Sequence, residues 1–356
     1  MKFILLYLIV VIKIIAGEKD ITEDEFKLIS VNKDYYTNSI FESEKEKILI
    51  FISPHCKFSI EYLEFIKNIN SNIEKNKIDV YLISPNYPNA LTPDDLSYTD
   101  TGVKIEDMKI LIERNQISSP YIYDGRDQII TNLYGIKMTP SIVILDSENE
   151  LIYKGKMGDK TKSGEISVLN IQKLINEHEK NKPIITKVYG TEIKTQTDEK
   201  QTAKILKRYS EETVRLTESD SKKLQFFLKF NNKKISLFYV WQTSDKNFRN
   251  NLLKVTDIYK RYRKRGLSVT TICLSEEKDK GEILVQLRRA QLSCQNFLST
   301  YYEGRPILDI IGFADEVITP SIICIGDNGE IIFKSRGTIE EKEIKYWIVD
   351  FLKSIN

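Results

Sequence analysis

Residues 47–63 read KILIFISPHCKFSIEYL, and this stretch decides how the first half of the chain folds. Residues 48–52 are a continuous apolar run of strand length, which fits a strand buried on both faces of a parallel sheet. Ser53-Pro54-His55 ends the run. From Phe58 onward, apolar residues recur at helical spacing with charged residues between them. The stretch therefore predicts a buried strand that leads directly into an amphipathic helix.

Cys56, the only cysteine in the first half of the chain, stands where that strand and helix meet. A helix N-terminus offers free backbone N–H groups and the positive end of the helix dipole, and both stabilise a thiolate. Lys57, and His55 when it is protonated, add positive charge beside it. We therefore predict that Cys56 is a nucleophilic thiol. The alternative is an inert, partly buried thiol in a site that has lost its activity.

A second motif, Met138-Thr139-Pro140, lies directly before another apolar run. A buried strand, a cysteine at the start of the next helix and a Thr-Pro pair before a later strand together resemble the thioredoxin superfamily. The resemblance implies that the Thr139-Pro140 peptide bond is cis and that this turn packs against Cys56. The turn would then form the wall of the site that faces the substrate.

Within that superfamily, residues 41–194 look most like a peroxiredoxin-like branch related to alkyl hydroperoxide reductases and thiol-specific antioxidants. Members carry an Asn-His-Cys-Pro-like motif, and the corresponding residues here are Pro54-His55-Cys56-Lys57. A late family motif, Gly-Cys-x-Ile-Lys, is similar to Gly190-Thr191-Glu192-Ile193-Lys194, with threonine in place of cysteine. Further matching stretches are Ser84-Pro85-Asn86, Pro93-Asp94-Asp95, Pro120-Tyr121-Ile122-Tyr123-Asp124-Gly125, Tyr134-Gly135 and Gly155.

The residues around Cys56 predict chemistry by a single thiol. Ser59 occupies the second cysteine position of a Cys-x-x-Cys motif, so no thiol lies one helical turn away to release a mixed disulfide. Compared with peroxiredoxins, Ser53 matches the Thr or Ser found three residues before the cysteine, whereas Leu49 replaces a proline. No arginine can be assigned to polarise a peroxide. The candidate site residues are Cys56, Ser53, Thr139 and Pro140.

The chain has 356 residues, of which 41% are apolar and 29% charged, a globular composition with room for two domains of about 150 residues each. A formal net charge of +2 gives no reason to expect a nucleic-acid partner. Residues 1–17, MKFILLYLIVVIKIIAG, have a positive start, an apolar core and a final small pair, Ala16-Gly17. They predict a secretory signal peptide and an exported protein, whether secreted, periplasmic or luminal.

Lys13 interrupts this apolar run below the ~18 residues that a membrane-spanning helix needs. The alternative to a cleaved signal peptide is an uncleaved N-terminal segment that anchors the protein to a membrane.

The second half of the chain repeats the plan of the first. Residues 234–241, KISLFYVW, predict a second buried strand, and Thr319-Pro320 before an apolar run mirrors the Thr-Pro pair of the first half. Trp241 begins a stretch that matches Trp-x-x-x-Cys-x-x-Cys, but Asp245 and Phe248 stand at the two cysteine positions. This half resembles a thioredoxin-like domain, and we predict that it is redox-inactive.

The three cysteines of the second half are expected in its core. Cys273 and Cys324 lie on predicted strands that would flank the central strand, about two strand spacings or ~9.5 Å apart. That separation exceeds the ~7 Å Cα limit for a disulfide. Cys294, in a helical or loop segment, could pair only if one of them faced it. His55 and His178 are the only histidines, and no spaced cluster predicts a metal site. We expect no cofactor.

Hydrophobic periodicity predicts the other elements, and their alternation fits an α/β three-layer sandwich. Predicted strands are 26–31, 78–83, 121–123, 141–145 and 151–154 in the first half and 268–274 and 331–335 in the second, where residues 317–323 mirror 137–143. Predicted helices are 57–69, 104–114 and 166–179, a helix or turn near 126–134, one helix near 201–216, and 245–264, 281–290 and 340–353. A small β-extension is predicted within 184–194.

The predicted fold class is α/β, with tandem thioredoxin-like three-layer sandwiches. The predicted segments are a signal peptide 1–17, a polar lead-in 18–40, a peroxiredoxin-like domain 41–180, a linker 181–223 and a redox-inactive domain 224–356. The predicted function is a thiol oxidoreductase, acting as an antioxidant or in thiol-disulfide exchange through Cys56. Its partner would be an external thiol reductant or a disulfide-bearing protein. The competing prediction is a redox-inactive module whose two domains bind extended peptides along the cis-proline edge.

Overall fold

The computed structural model of the chain describes residues 26–72, 77–160, 166–219, 222, 233–299 and 318–355. These residues divide into two compact units. The first takes the described residues up to Ala90 together with Gly102–Asp198, and the second takes Leu91–Thr101 and the described residues from Glu199 onward. The predicted signal peptide and the start of the predicted lead-in lie outside the described residues.

The first unit is built from short helices and a mixed sheet. Its strands are β1 (Leu28–Ser30), β2 (Tyr35–Tyr36), β3 (Glu46–Phe51), β4 (Ile78–Ser84), β5 (Tyr121–Tyr123), β6 (Met138–Thr139), β7 (Ser141–Leu145), β8 (Leu151–Gly155), β9 (Gly158–Lys160), β10 (Ile166–Val168), β11 (Ile184–Ile185) and β12 (Thr191–Glu192). Its helices are α1 (Lys57–Glu61), α2 (Leu63–Asn72), α3 (Ile105–Arg114), α4 (Ile129–Leu133) and α5 (Ile171–Glu177).

The main sheet of this unit follows the order β11-β8-β7-β3-β4-β5-β1-β2. Strand β3 runs parallel to β4, and β4 runs parallel to β5. On the other side of β3, β7 is antiparallel to it and β8 is antiparallel to β7. A central parallel set joined to an antiparallel hairpin on one side is the thioredoxin-type strand order, and the predicted fold class is confirmed.

Strand β3 is buried on both faces, as the apolar run predicts. Ile48 and Ile50 pack into a cluster with residues of α2, α3 and α5, whereas Leu49 and Phe51 pack into a second cluster with a residue of α4. None of these four side chains is exposed to solvent. Helices therefore cover both faces of the sheet, and the end of β3 is held rigidly where the loop to α1 begins.

The second unit repeats the order of the five strands β8-β7-β3-β4-β5 of the first. Its strands are β13 (Thr217–Glu218), β14 (Ile235–Trp241), β15 (Leu267–Leu274), β16 (Gln295–Ser299), β17 (Ser321–Gly326) and β18 (Ile331–Arg336). Its helices are α6 (Glu199–Ser210), α7 (Phe248–Tyr262), α8 (Lys280–Arg289) and α9 (Glu341–Ser354). The sheet runs β13-β16-β15-β14-β17-β18, with β14, β15 and β16 parallel and β17 and β18 antiparallel to their neighbours.

Some predicted elements have other boundaries. The helix predicted at 57–69 is two helices that meet at Tyr62. The first residues of the helix predicted at 166–179 form β10 instead, because β10 pairs with β9 as a hairpin. Glycine is needed there, since a Cβ atom on Gly158 would lie 2.4 Å from the carbonyl oxygen of Ser167. The lead-in contributes two short strands rather than one.

Residues 91–101 precede α3 in the sequence but belong to the second unit. Arg261, at the end of α7, donates from Nε to the carbonyl oxygen of Leu96 (2.8 Å) and from Nη2 to those of Thr99 (2.7 Å) and Thr101. The Tyr262 hydroxyl also donates to the Thr99 oxygen, at 2.7 Å. The backbone of this segment is therefore hydrogen-bonded to side chains of α7. Nothing in the sequence pattern predicts the contact.

Within the described ranges, no helix is both long enough and apolar enough to cross a membrane.

Candidate functional site

Strand β3 delivers Cys56 to the start of α1. The chain turns after Phe51, and the N–H of Cys56 donates to the carbonyl oxygen of Ser53 at 3.1 Å. Cys56 is the N-cap residue of α1, and its Sγ accepts a hydrogen bond from the N–H of Ser59 at 3.3 Å. The thiol therefore occupies the predicted position, and one otherwise free helix N–H is directed at its sulfur.

The Thr139-Pro140 turn lies against this sulfur. The peptide bond between the two residues is cis, as the resemblance implies. The Cys56 thiol donates to the carbonyl oxygen of Thr139, and Sγ and that oxygen are 3.2 Å apart. Both turn residues are buried. The Thr139 hydroxyl oxygen, also buried, has no hydrogen-bond partner among the described residues.

Thr191 is a third neighbour of the sulfur, and it was not among the predicted site residues. Its Oγ1 lies 3.2 Å from Cys56 Sγ. Strand β12 carries it there by pairing antiparallel with β6, so that Thr191 lies opposite Thr139 and Glu192 opposite Met138. The signal was present in the sequence, because Thr191 stands where the family motif has a cysteine. Its place beside Cys56, however, depends on a strand pair that periodicity does not reveal.

Ser53 belongs to the support of the site rather than to the contacts of Sγ. Its hydroxyl accepts a hydrogen bond from Asn86 Nδ2 at 2.8 Å and lies 3.3 Å from His55 Nδ1. Its backbone N–H donates to Ser59 Oγ at 3.3 Å. All four side chains are buried. These bonds hold the loop before α1 in place, and with it the direction of the cysteine side chain.

The atoms around Sγ suit both protonation states of the thiol. The neutral thiol donates its single proton to the Thr139 carbonyl oxygen. A thiolate instead accepts hydrogen bonds from the Ser59 N–H and from the Thr191 hydroxyl, which can rotate to donate. Tyr121, another wholly buried neighbour of this loop, donates from its hydroxyl to the Ile52 carbonyl oxygen at 3.1 Å. Burial raises the pKa of Tyr121, which therefore stays a neutral phenol.

Cys56 has no exposed surface, whereas its neighbours Lys57 and Phe58 are exposed. Thr191 is partly exposed, so its side chain lies between the sulfur and solvent. A reagent can reach Sγ only when one of the side chains that surround it, such as that of Thr191, moves. The site described here is therefore a closed form of a thiol site.

The second unit has a carboxylate where the first has a thiol. The Thr319-Pro320 bond is also cis, and the Thr319 hydroxyl donates to Asp245 Oδ1. The other carboxylate oxygen of Asp245 accepts from the N–H of Gln242 at 2.8 Å. Asp245 thus lies against the Thr-Pro turn, as Cys56 does in the first unit, but it cannot exchange disulfides. Phe248, at the other predicted cysteine position, is the first residue of α7.

All four cysteines are free and buried. Cys273 and Cys324 lie on β15 and β17, the strands that flank β14, as the sequence predicts. Burial raises the pKa of Cys273, Cys294 and Cys324, and nearby Asp245 adds to the rise at Cys273. These three thiols therefore stay protonated and unreactive at neutral pH. In the part of the chain that the structure describes, no group of cysteine, histidine and carboxylate side chains could hold a metal ion.

No protein-family model matches the chain, and no curated protein does. Solved structures do match part of it. A hypothetical protein of Sinorhizobium meliloti is 19% identical, with a TM-score of 0.40, and the match covers 48% of this chain and 91% of that one. A secreted disulfide oxidoreductase of Mycobacterium tuberculosis is 13% identical, with a TM-score of 0.28 and coverage of 35% and 79%.

A thiol:disulfide interchange protein of a Bacteroides species is also 13% identical, with a TM-score of 0.30 and coverage of 35% of this chain and 78% of that one. Each match covers about half of this chain or less. The assignment of the fold therefore rests on the strand order and on the two cis-proline turns described above.

Proposed function

We propose that the chain is an exported thiol oxidoreductase of the peroxiredoxin-like type that acts through the single thiol of Cys56. The observation that carries the proposal is the set of atoms around Sγ: the Ser59 N–H at 3.3 Å, the Thr191 hydroxyl at 3.2 Å and the cis-proline turn. Two donors on one sulfur stabilise the thiolate, which is the nucleophilic form. The thioredoxin-type fold supports the same chemistry.

With a disulfide as oxidant, the Cys56 thiolate attacks one sulfur of the disulfide. A bond forms between Sγ and that sulfur, the original S–S bond breaks, and the other sulfur leaves as a thiolate that takes a proton from solvent. An external thiolate then attacks the mixed disulfide. This second step frees Cys56 and leaves the external thiol in a new disulfide.

With a hydroperoxide as oxidant, the thiolate attacks the terminal peroxide oxygen. The O–O bond breaks, the leaving oxygen takes a proton, and Cys56 becomes a sulfenic acid. An external thiol condenses with the sulfenic acid and releases water, and a second external thiol restores Cys56. The unpartnered Thr139 hydroxyl is a donor that an oxygen atom of the bound oxidant can use.

The second unit would serve binding or structure in this proposal, because its turn faces Asp245 rather than a thiol. The competing function, a module that binds extended peptides along the cis-proline edge, finds less support in the first unit. There β12 already pairs with the residues before Pro140. Export is proposed from residues 1–17, whose sequence has the pattern of a signal peptide.

The proposal is tested by turnover with a thiol reductant. Wild-type protein mixed with glutathione should consume hydrogen peroxide or hydroxyethyl disulfide catalytically, and Cys56→Ser should not, although it should give the same circular dichroism spectrum. Cys294→Ser is the matched control, because Cys294 is also buried but lies far from the turn in sequence and belongs to the other unit. Activity that survives in Cys56→Ser would overturn the assignment.

A further inference from the structure

We infer that residues 190–194 restrict Cys56 to small oxidants and exclude extended polypeptide disulfides. The inference names a substrate class for the thiol oxidoreductase proposed above and rests on that function. It concerns access to the sulfur, so it can be measured by stoichiometric reactions of Cys56 without catalytic turnover.

The first observation is that the strand edge at Met138 and Thr139, where an extended peptide would pair, is already paired with β12 of the same chain. An extended peptide that is to bind beside a sheet needs free backbone N–H and C=O groups on the edge it meets. At Met138 and Thr139 the edge is taken by Glu192 and Thr191. The approach is close, because a Cβ atom on Gly190 would lie 2.1 Å from the Thr139 carbonyl oxygen. No second strand can pair there while residues 190–194 are in place.

The second observation is that this segment is anchored beyond the strand pair. The N–H of Ile193 donates to the carbonyl oxygen of Lys137 at 2.9 Å, and its side chain is buried in the core. The N–H of Lys194 donates to Asn86 Oδ1 at 2.7 Å. The carbonyl oxygen of Lys194 accepts from the N–H of Tyr87 at 2.9 Å and from Gln128 Nε2 at 3.0 Å.

Because of these hydrogen bonds, a polypeptide disulfide and a small oxidant do not reach Sγ equally easily. A polypeptide could pair with Thr139 only after the backbone of residues 190–194 left the edge, which breaks several hydrogen bonds and exposes Ile193. A small oxidant needs only the partly exposed Thr191 side chain to turn away from Sγ. Asn86 connects residues 190–194 to the loop before α1, because its side-chain amide donates to the Ser53 hydroxyl and accepts from the Lys194 N–H.

The test uses two probes with the same reactive group. Methyl 2-pyridyl disulfide is the small probe, and an unstructured peptide whose cysteine carries the same 2-pyridyl disulfide is the large one. Both release 2-thiopyridone, which is followed by its absorbance. Each rate constant is corrected with the Cys56→Ser protein and divided by the rate constant for glutathione with the same probe. In the wild type the corrected ratio of large to small probe should be reduced by about tenfold or more, the effect of breaking one or two buried hydrogen bonds.

Two variants separate the backbone from the side chain. Gly190→Ala adds a methyl group that cannot fit against Thr139, so it should push the segment from the edge and raise the rate of the large probe selectively. Gly281→Ala is its matched control, because a Cβ atom at Gly281 meets nothing within 4 Å, and it should change neither rate. Thr191→Ser, which keeps the hydroxyl beside Sγ and removes only the methyl group, should raise the rate of the small probe and leave the large probe excluded.

Three results would overturn the inference. The first is a wild type that reacts with both probes in the ratio found for glutathione. The second is a Gly190→Ala variant, folded by circular dichroism, whose ratio equals that of the wild type. The third is a wild type inert to both probes together with variants that admit both equally, since the segment would then shield the sulfur without selecting by size. If the wild type shows no catalytic turnover but the expected ratio of the two probe rates, the result counts against the proposed function and not against selection by residues 190–194.

Discussion

Three residues that are far apart in the sequence meet at one sulfur atom. Ser59 reaches Cys56 from one helical turn away, Thr139 from 83 positions away and Thr191 from 135 positions away. None of the three is a thiol. In the proposed mechanism, chemistry at Cys56 therefore ends at a mixed disulfide or a sulfenic acid until an external thiol arrives.

The position of Thr191 predicts the behaviour of a second sulfur at that site. Thr191→Cys should place a thiol against Sγ, because the present oxygen and sulfur are 3.2 Å apart. Mild oxidation should then form a disulfide with Cys56, detected as a loss of two mass units and two titratable thiols. The double variant Cys56→Ser, Thr191→Cys should form no such bond. A Thr191→Cys protein that keeps both thiols under the same oxidation would contradict the geometry.

Ser59 offers the comparison with a dithiol site. Ser59→Cys should create a Cys-x-x-Cys pair that resolves a mixed disulfide internally, since residues three apart face the same side of a helix. Wild-type protein should hold its adduct with a small disulfide, and the variant should release it. Intact mass against time gives the answer. Equal release rates would mean that another thiol reaches Cys56, and the single-thiol mechanism would be abandoned.

Asp124 predicts how stability depends on pH. Burial raises the pKa of its carboxyl to about 6 from 3.8, although hydrogen bonds from Thr131 and Ile130 oppose the rise. The folded state therefore binds more protons than the unfolded state between about pH 4 and pH 6. Its free energy of unfolding should fall as the pH rises through that window, by roughly 3 kcal/mol, and should level off above it.

The measurement for Asp124 is urea denaturation of the wild type and of Asp124→Asn at about pH 4 and pH 7. The wild type should be more stable relative to the variant at the lower pH, because only the wild type carries the titrating group. A difference between the two proteins that is the same at both pH values would show that the carboxyl titrates alike in the folded and unfolded states.

Whole elements show which features of the fold the sequence can predict. Strands β3, β7 and β14 contain apolar runs, and the two Thr-Pro turns carry their own signal, so local residue types suffice. Strand β16 is not predictable in this way. Its Asn296 is buried, and its side chain bonds to the Thr271 hydroxyl and to the Leu292 carbonyl oxygen. Polar residues whose partners lie elsewhere look like loop residues in the sequence.

The same limit applies to the candidate site. Cys56 and the cis-proline turn could be predicted, because a strand end and a Thr-Pro pair are local features. The contact of Thr191 and the bridging bonds of Asn86 could not, since they depend on how distant segments pair. Ser53, a predicted site residue, bonds to Asn86 and Ser59 instead of contacting Sγ, and these partners were also not evident from the sequence.

The hairpin β9–β10 carries a prediction at this scale. Gly158→Ala should destabilise the first unit by about 1–3 kcal/mol, because the added methyl group overlaps the Ser167 carbonyl oxygen. Gly281→Ala, in the first turn of α8 where the added methyl group meets nothing within 4 Å, should be neutral or slightly stabilising. Urea denaturation compares the two. An unchanged midpoint for Gly158→Ala would mean that β10 does not lie against β9 in solution.

For the molecule as a whole, the assignment of residues 91–101 to the second unit matters most. Arg261 is 3% exposed and bonds to three carbonyl oxygens of that segment. Arg261→Met should cost about 2–4 kcal/mol, because it removes the charged donor of three hydrogen bonds to this segment. It should also make residues 91–101 a site of rapid cleavage by added protease. Tyr262→Phe, which removes one of these bonds, is the milder control and should show a smaller change in both measurements.

Deleting the second unit has a related consequence. A chain cut after Asp198 keeps Cys56 and its neighbours, but it loses every donor on α7 that holds residues 91–101. Thiol reactivity should survive the cut, whereas protection of this segment should not. Protection that persists in the shortened chain would show that other contacts hold the segment.

The contact between residues 91–101 and α7 also affects when the second unit can fold during synthesis on the ribosome. Leu96 leaves the exit tunnel 165 residues before Arg261 does. At 5–20 residues per second, the wait is roughly 10–30 s. During that interval residues 91–101 lack the donors on α7, and the second unit, to which they belong, cannot be completed. If residues 1–17 direct the chain to a translocon, residues 91–101 pass through it before their partners on α7 have been made.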